Sequence, residues 1–214
     1  MYKYTKIETP FKRDMDGTKK LIEGDFRSKA VDYLSRNQWF FSEKVDGCCL
    51  GIYWDGYRVN YQGRTERANI PSHLMNRLIE IFGTNEAEEM FEQMFGEKEV
   101  VLFGEGYGAK IQNGGGNYIP DGCDFILFDV YFPSSDTWLQ WNDMASVADA
   151  FNIKHVPLIM TGTIQEAIDY VKTKPVSHIN PNHEMEGLVG KPLVDFYDRN
   201  HNRVMVKIKV RDFT

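Results

Sequence analysis

The feature that most constrains this chain is a set of strand-like runs joined by tight turns. From Trp39 onward, WFFSEKV and CCLGIYW read as strands, Asp55-Gly56 as a hairpin turn, and YRVNY as the returning strand. EVVLFGEGYG and DFILFDVYF are two more strands, separated by GAKIQNGGGNYIPDG, a loop by its glycines. MEGLVGK and LVDFYD, a turn at Arg199-Asn200-His201-Asn202, and RVMVKIKV complete the set. Helical spacing intervenes at Leu74, Leu78, Ile81 or Phe82, then at Met90, Phe91, Met94 and Phe95, with Pro71 suited to a first turn and Gly83 to a break. WNDMASVADAF and TIQEAIDYVKT read as amphipathic helices, and DFRSKAVDYLS as a short helix with Asp25 or Ser28 near its start. Hairpin-linked strands with helices between them predict an antiparallel α+β fold. Residues 1–25 are polar and irregular. No change of composition and no Pro/Ser linker marks an internal boundary. The expectation is an N-terminal extension, residues 1–38, packed on or leading into one domain, residues 39–214.

Composition narrows the class. The 214 residues carry 25 Lys+Arg against 31 Asp+Glu, a net charge of −6. That argues against bulk positive charge as a means of coating nucleic acid, while leaving room for a local basic groove. Aromatic residues at 14% exclude a disordered chain. No apolar run reaches membrane-spanning length, and Met1–Lys20 lacks the apolar core of a signal peptide. Cys48, Cys49 and Cys123 are odd in number, and two are adjacent. A disulfide framework or zinc site is not expected, and a cytoplasmic location fits.

Six short motifs carry possible chemistry. Glu43-Lys44-Val45-Asp46-Gly47 puts a lysine at a strand end beside a glycine; alone, it is also an ordinary turn with a solvated lysine. Gly63-Arg64-Thr65 offers an arginine to a phosphate or simply to solvent. In Phe103-Gly104-Glu105-Gly106 a carboxylate ends an apolar strand, able to accept both ribose hydroxyls or to sit exposed before a turn. Phe125-Ile126-Leu127-Phe128-Asp129 is a core-like strand whose first ring could stack on a purine. Glu186-Gly187-Leu188-Val189-Gly190-Lys191 spaces a carboxylate and a lysine five apart. Lys207-Ile208-Lys209 points two lysines to one face of a strand, between apolar Val206 and Val210.

In this order, across residues 39 to 210, the motifs resemble the covalent nucleotidyltransferases: ATP-dependent DNA ligases, RNA ligases and mRNA capping enzymes. The resemblance implies that fold's antiparallel catalytic domain and a nucleotide held on a lysine. Lys44 would attack the α-phosphate, expel pyrophosphate and hold AMP as a phosphoramidate. An ordinary lysine titrates near ~10.4, so Lys207, Lys209 and a divalent ion, Mg²⁺ or Mn²⁺, would disfavour its protonated form. Asp46 and Glu186 would hold that ion. Glu105 would bind ribose, with metal binding as an alternative. Phe125 would stack on the base, with Phe128 in the core. Glu43 would contact the base edge, Arg64 a phosphate, and Lys191, more weakly, a substrate phosphate.

Three features refine the resemblance. Cys49 stands five residues after Lys44, where DNA ligases and capping enzymes usually have arginine and one RNA-ligase group often asparagine. Gly106-Tyr107-Gly108-Ala109-Lys110-Ile111-Gln112 is similar to the run after the motif glutamate in RNA ligases of the phage and RNA-editing group. Few residues follow Lys209, so no C-terminal OB domain is expected. Together they favour an ATP-dependent RNA ligase joining 5′-phosphate and 3′-hydroxyl ends, with RNA preferred over DNA. The alternatives are a minimal DNA ligase, or a nucleotide- or RNA-end-binding module that needs a partner chain to supply the appended domain. ATP is favoured over NAD⁺, and GTP is not excluded. Charge location agrees: residues 86–105 hold seven glutamates and one lysine, while residues 186–211 hold six Lys/Arg and three acids. Lys3, Lys6, Lys12 and Arg13 read as part of a solvated tail or as contacts to nucleic acid.

Overall fold

The computed structural model describes residues 1–65 and 68–214. In chain order the first elements are β1 (Phe11–Arg13), β2 (Leu21–Phe26), α1 (Lys29–Leu34), β3 (Trp39–Glu43), β4 (Cys48–Trp54) and β5 (Val59–Gly63). Next come α2 (Ser72–Phe82), α3 (Asn85–Phe95), β6 (Val100–Gly108), β7 (Cys123–Phe132) and β8 (Thr137–Trp138). The chain closes with α4 (Trp141–Ala150), β9 (Lys154–His155), β10 (Leu158–Gly162), α5 (Ile164–Lys172), β11 (Gly187–Pro192) and β12 (Val206–Lys209). It packs as two compact units: unit I, Met1–Tyr4 with Asp46–Val156, and unit II, Thr5–Val45 with Pro157–Thr214. The crossings fall before β1, between β3 and β4, and between β9 and β10, where no linker composition betrays them. Among the described residues no helix is long and apolar enough to cross a membrane.

Unit II is built on an antiparallel sheet of order β10-β3-β11-β12. Strand alternation divides its faces. Trp39, Phe41, Leu188, Val206 and Ile208 are buried in one cluster with Ile164, Ile168 and Val171 of α5. Burying each such side chain contributes about 1.5–3 kcal/mol. Phe40, Ser42 and Lys44, then Gly187, Val189 and Lys191, then Lys207 and Lys209, take the alternate positions. Helix α5 begins at a capping box, Thr163 with Glu166. The N-terminal segment is more regular than its sequence suggests. β1 and β2 pair antiparallel with Phe11 opposite Phe26, and the Asp14 carboxylate accepts from the Gly17 and Thr18 amides to close the turn. Three residues of β1 are too few to show alternation, so this hairpin is not visible in the pattern.

Unit I carries the sheet β5-β4-β6-β7-β8, with β9 parallel to β7. Leu50, Ile52, Leu102, Phe125 and Leu127 meet Leu74, Leu78 and Phe82 of α2 and Phe91 of α3 in one core. The break at Gly83 is real: Gly83 caps α2, and the Thr84 hydroxyl accepts from the Ala87 amide to start α3. LVDFYD, expected as a strand, forms only a bridge between Tyr197 and Arg203. The Asp198 turn and the Asp195–Arg203 ion pair hold it as an irregular hairpin instead.

Candidate active site

In unit II, register puts Lys44, Gly187 and Lys209 in one row across three neighbouring strands. Glu43 pairs Leu188, Gly187 pairs Lys209, and the Lys44 amide donates to the Gly187 carbonyl at 2.9 Å. Strands lie about 4.8 Å apart, so the two lysines flank the glycine and reach over it. Glu186 joins them. Its Oε2 accepts from Lys44 Nζ at 2.6 Å and its Oε1 from Lys209 Nζ at 2.5 Å, all three side chains being largely buried. Gly187 permits this convergence. Its φ is +153°, and a Cβ there would lie 2.2 Å from the Ile208 carbonyl oxygen. One row further, Val189 lies between Ser42 and Lys207, and beyond it Lys191 pairs Phe40. Lys44, Lys191, Lys207 and Lys209 therefore share the sheet face away from α5, and for Lys207 and Lys209 the Lys-Ile-Lys pattern predicts it.

Glu43 departs from its expected role. It is only 1% exposed, because alternation turns it to the α5 face, opposite Lys44. Its Oε1 accepts from Ser177 Oγ at 2.5 Å and its Oε2 from the His178 amide at 2.8 Å. Ser177 Oγ in turn accepts from the amides of Ile179 and Asn180. A carboxylate with both oxygens engaged inside the unit ties the 177–180 turn to β3; it does not read a base edge. Ser177 belongs to no motif, so the sequence gives no sign of it.

In unit I, Cys49 of β4 pairs Glu105 of β6, and Glu105 pairs Ile126 of β7. Arg64, exposed just beyond β5, continues that row, since Gly63 pairs Leu50. Arg64, Cys49 and Glu105 thus lie side by side across the three strands. Burial, reinforced by the Glu105 charge and opposed by Arg64, pushes the Cys49 thiol up to about 12. Asp46 opens the unit. Its amide donates to Tyr118 Oη at 3.3 Å, and a Cβ on Gly114 would come within 2.8 Å of its Oδ2. The glycine run of the 108–122 loop therefore lets that loop close onto Asp46. Gly47 is pressed equally hard against Glu105 and the Gly106 carbonyl.

Phe125 also departs from expectation. It pairs Gly106 rather than Glu105, so it points to the α2 face. It is 0% exposed, meets Phe82 edge-on at 5.4 Å, and leaves room for its ring only because residue 104 is glycine. A ring packed there presents no face to a purine; it belongs to the core. Phe128, assigned to the core from sequence, is half-buried and lies edge-on to Tyr4.

Among the described residues no three His, Cys or carboxylate groups converge on one point. The two carboxylates expected to hold a metal fall in different units, Asp46 in unit I and Glu186 in unit II.

A family model described as RNA ligase matches residues 37–209. No curated protein matches the chain. Among solved structures, a Naegleria gruberi RNA ligase variant with ATP and Mn is 21% identical, with a TM-score of 0.63 over 83% of this chain and 51% of that one. The same ligase with pyrophosphate gives 20% identity and a TM-score of 0.63 over 83% and 50%. A variant with AMP and Mn gives 18% and 0.64 over 96% and 61%. This chain spans about half to three-fifths of their length, and at these identities the likeness is one of fold.

Proposed function

The chain belongs to the RNA ligase family, and we propose that it is an ATP-dependent RNA ligase that joins a 5′-phosphate to a 3′-hydroxyl through a nucleotide carried on Lys44. The observation that carries this reading is the Lys44–Glu186–Lys209 cluster, a nucleophile and a second cation held by one carboxylate. Complexes of the Naegleria ligase with ATP, AMP and pyrophosphate support the same chemistry there.

In the first step the Lys44 Nζ lone pair forms a bond to the α-phosphorus of ATP. The bond from that phosphorus to the bridging oxygen breaks, pyrophosphate leaves, and Nζ loses its proton to solvent. Positioning and charge neutralisation do most of the work of such a transfer. Lys209 and Lys207 supply positive charge on the nucleophile's own sheet face. Glu186 orients Lys44 and Lys209 through one oxygen each. Glu105 accepts from the ribose hydroxyls, and Arg64 binds a phosphate. In the second step a 5′-phosphate oxygen attacks the α-phosphorus and the N–P bond breaks, returning Lys44. In the third a 3′-hydroxyl oxygen attacks the 5′-phosphorus, its proton passes to solvent, the bond to the bridging oxygen breaks and AMP leaves. A divalent ion, Mg²⁺ or Mn²⁺, held by Asp46 and Glu186 would supply further charge to the α-phosphate. Three free thiols fit a cytoplasmic enzyme, and RNA ends are its expected partners. The domain limits proposed from sequence, an extension to residue 38 and a catalytic domain from residue 39, are tested by whether a chain starting at residue 39 still folds.

Incubation with α-labelled ATP or GTP and Mg²⁺, followed by denaturation, tests the reading. Covalent label from ATP, absent in Lys44→Ala, is expected. Label from neither nucleotide would sink the proposal, and label from GTP alone would point to capping chemistry. Rapid sealing of nicked DNA with no sealing of RNA would overturn the substrate preference.

A further inference from the structure

The connection between β11 and β12 is an exposed hairpin, residues 193–203, that no step above uses. It leaves apolar and aromatic side chains in solvent: Val194 is 67% exposed, and Phe196 and Tyr197 are each 42% exposed. Its own acids are engaged internally. Asp195 takes the buried Arg203 at 3.0 Å. Asp198 accepts from the amides of Asn200 and Asn202 and from the Asn202 side chain, and these bonds, the Asn202 amide first, hold its carboxyl below the usual range. Arg199 and His201 are left exposed at the tip. The N-terminal cations of the same unit behave oppositely. Lys6 pairs Glu8, Lys12 pairs Asp25, Arg13 pairs Asp212 and Arg27 pairs Glu8. Within this unit those N-terminal cations each have a carboxylate partner, whereas the hairpin offers exposed rings and an exposed Arg199 together.

Its place in the sheet relates the hairpin to the reactive lysine. β11 and β12 carry Lys191, Lys207 and Lys209 on the face that holds Lys44, and the hairpin lies at the end of these strands remote from Gly187. The six residue steps from Gly187 to Leu193 span roughly 20 Å. A phosphate chain following the lysines away from Lys44 arrives at the hairpin a few nucleotides later. Interleaved cations and exposed rings are what a single strand requires. The cations track its backbone, and the rings accept unstacked bases without regard to sequence.

We propose that the 193–203 hairpin is a stacking platform for single-stranded RNA, engaged a few nucleotides from the end that reacts at Lys44. The proposal rests on the ligase reading, and its test is separable from it. Fluorescence anisotropy with a long 5′-phosphorylated RNA and with a 5′-phosphorylated dinucleotide reads binding without any chemistry. Phe196→Ala is expected to weaken binding of the long RNA roughly ten-fold, the loss of one stacked base. Phe196→Trp restores it, and the dinucleotide binds both variants as it binds the parent protein. Arg199→Ala lowers affinity less and flattens the salt dependence. Labelling of Lys44 by ATP stays at the parent rate in Phe196→Ala. Equal affinity of Phe196→Ala and parent for the long RNA overturns the platform, as does equal weakening on both RNAs. A change of oligomeric state in sedimentation, with RNA affinity intact, assigns the hairpin to a second copy and also overturns it. Absence of label from ATP in the parent defeats the ligase reading alone, because the binding comparison still stands.

Discussion

The two units are both largely antiparallel sheets backed by helices, yet they hold their chemical groups differently. In unit II the reactive face is a row of lysines gathered by one carboxylate, and the glycine between them makes the gathering possible. In unit I the corresponding row is sparse: an arginine at the rim, a thiol and a glutamate. Its glycines, 47, 104 and 114, serve close packing rather than convergence. In the proposed reaction unit II would supply charge to a phosphate, and unit I would offer Glu105 to the ribose hydroxyls. The difference comes from strand parity. A side chain one residue along a strand belongs to the other face, and both residues whose expected roles failed, Glu43 and Phe125, lie on the helix-backed side.

The sharpest way to break this comparison is Phe125→Ala. If the ring is core, its loss costs about 3–5 kcal/mol. For a chain of this size that corresponds to roughly 6–20 °C in melting temperature. At a temperature where the variant stays folded, ATP affinity is expected to remain within about two-fold, since a core truncation removes no nucleotide contact. An unchanged melting temperature with lost ATP affinity would return the ring to the base and reverse the face assignment in unit I.

Glu186→Gln tests the other side. The amide keeps the shape but cannot balance two ammonium groups. Labelling of Lys44 is expected to fall about 100-fold, near 2.7 kcal/mol in barrier. The matching change in unit I, Glu105→Gln, is expected to act mainly through KM for ATP. A neutral amide still offers an oxygen to ribose but accepts less strongly than a carboxylate. If both variants lose kcat equally, the division of labour between the two rows is wrong.

Much of this was legible beforehand. The turn at Asp55-Gly56, the helix break at Gly83 and the lysines of β12 follow from period, turn chemistry and alternation. Register was not legible, because it depends on which strands pair. Gly106 opposite Phe125, and Leu188 opposite Glu43, become visible only once β6 meets β7 and β11 meets β3. Ser177 was invisible for a different reason: its partner is 134 residues away in the chain, and a serine in a turn has no periodicity. Glu43→Gln therefore probes what the sequence could not show. One of its two acceptors becomes a donor facing either a hydroxyl or an amide, at a cost of about 1–3 kcal/mol in stability. Ser177→Ala should cost less. A double variant that loses only as much as Glu43→Gln alone would show that the two act as one link between β3 and the 177–180 turn.

The smallest effect concerns Cys49, which stands where the resemblance leads one to expect arginine or asparagine. Its folded thiol is pushed up to about 12, first by burial and then by Glu105, from an ordinary 9.0. The sign follows directly. Below 9.0 the thiol is neutral in both folded and unfolded chains and contributes no pH dependence. Between 9.0 and about 12 the unfolded chain ionises while the folded one does not, so stability falls as pH rises. Cys48, raised to about 11 by burial, adds to the same window. Cys49→Ala should therefore leave Lys44 labelling within about two-fold at neutral pH, where the neutral thiol is a small apolar group. The variant should also lose stability less steeply than the parent above pH 9.0. A titration of labelling near neutral pH that vanishes in Cys49→Ala would show a thiolate at work, and would place a negative charge at Cys49, which the comparison holds neutral.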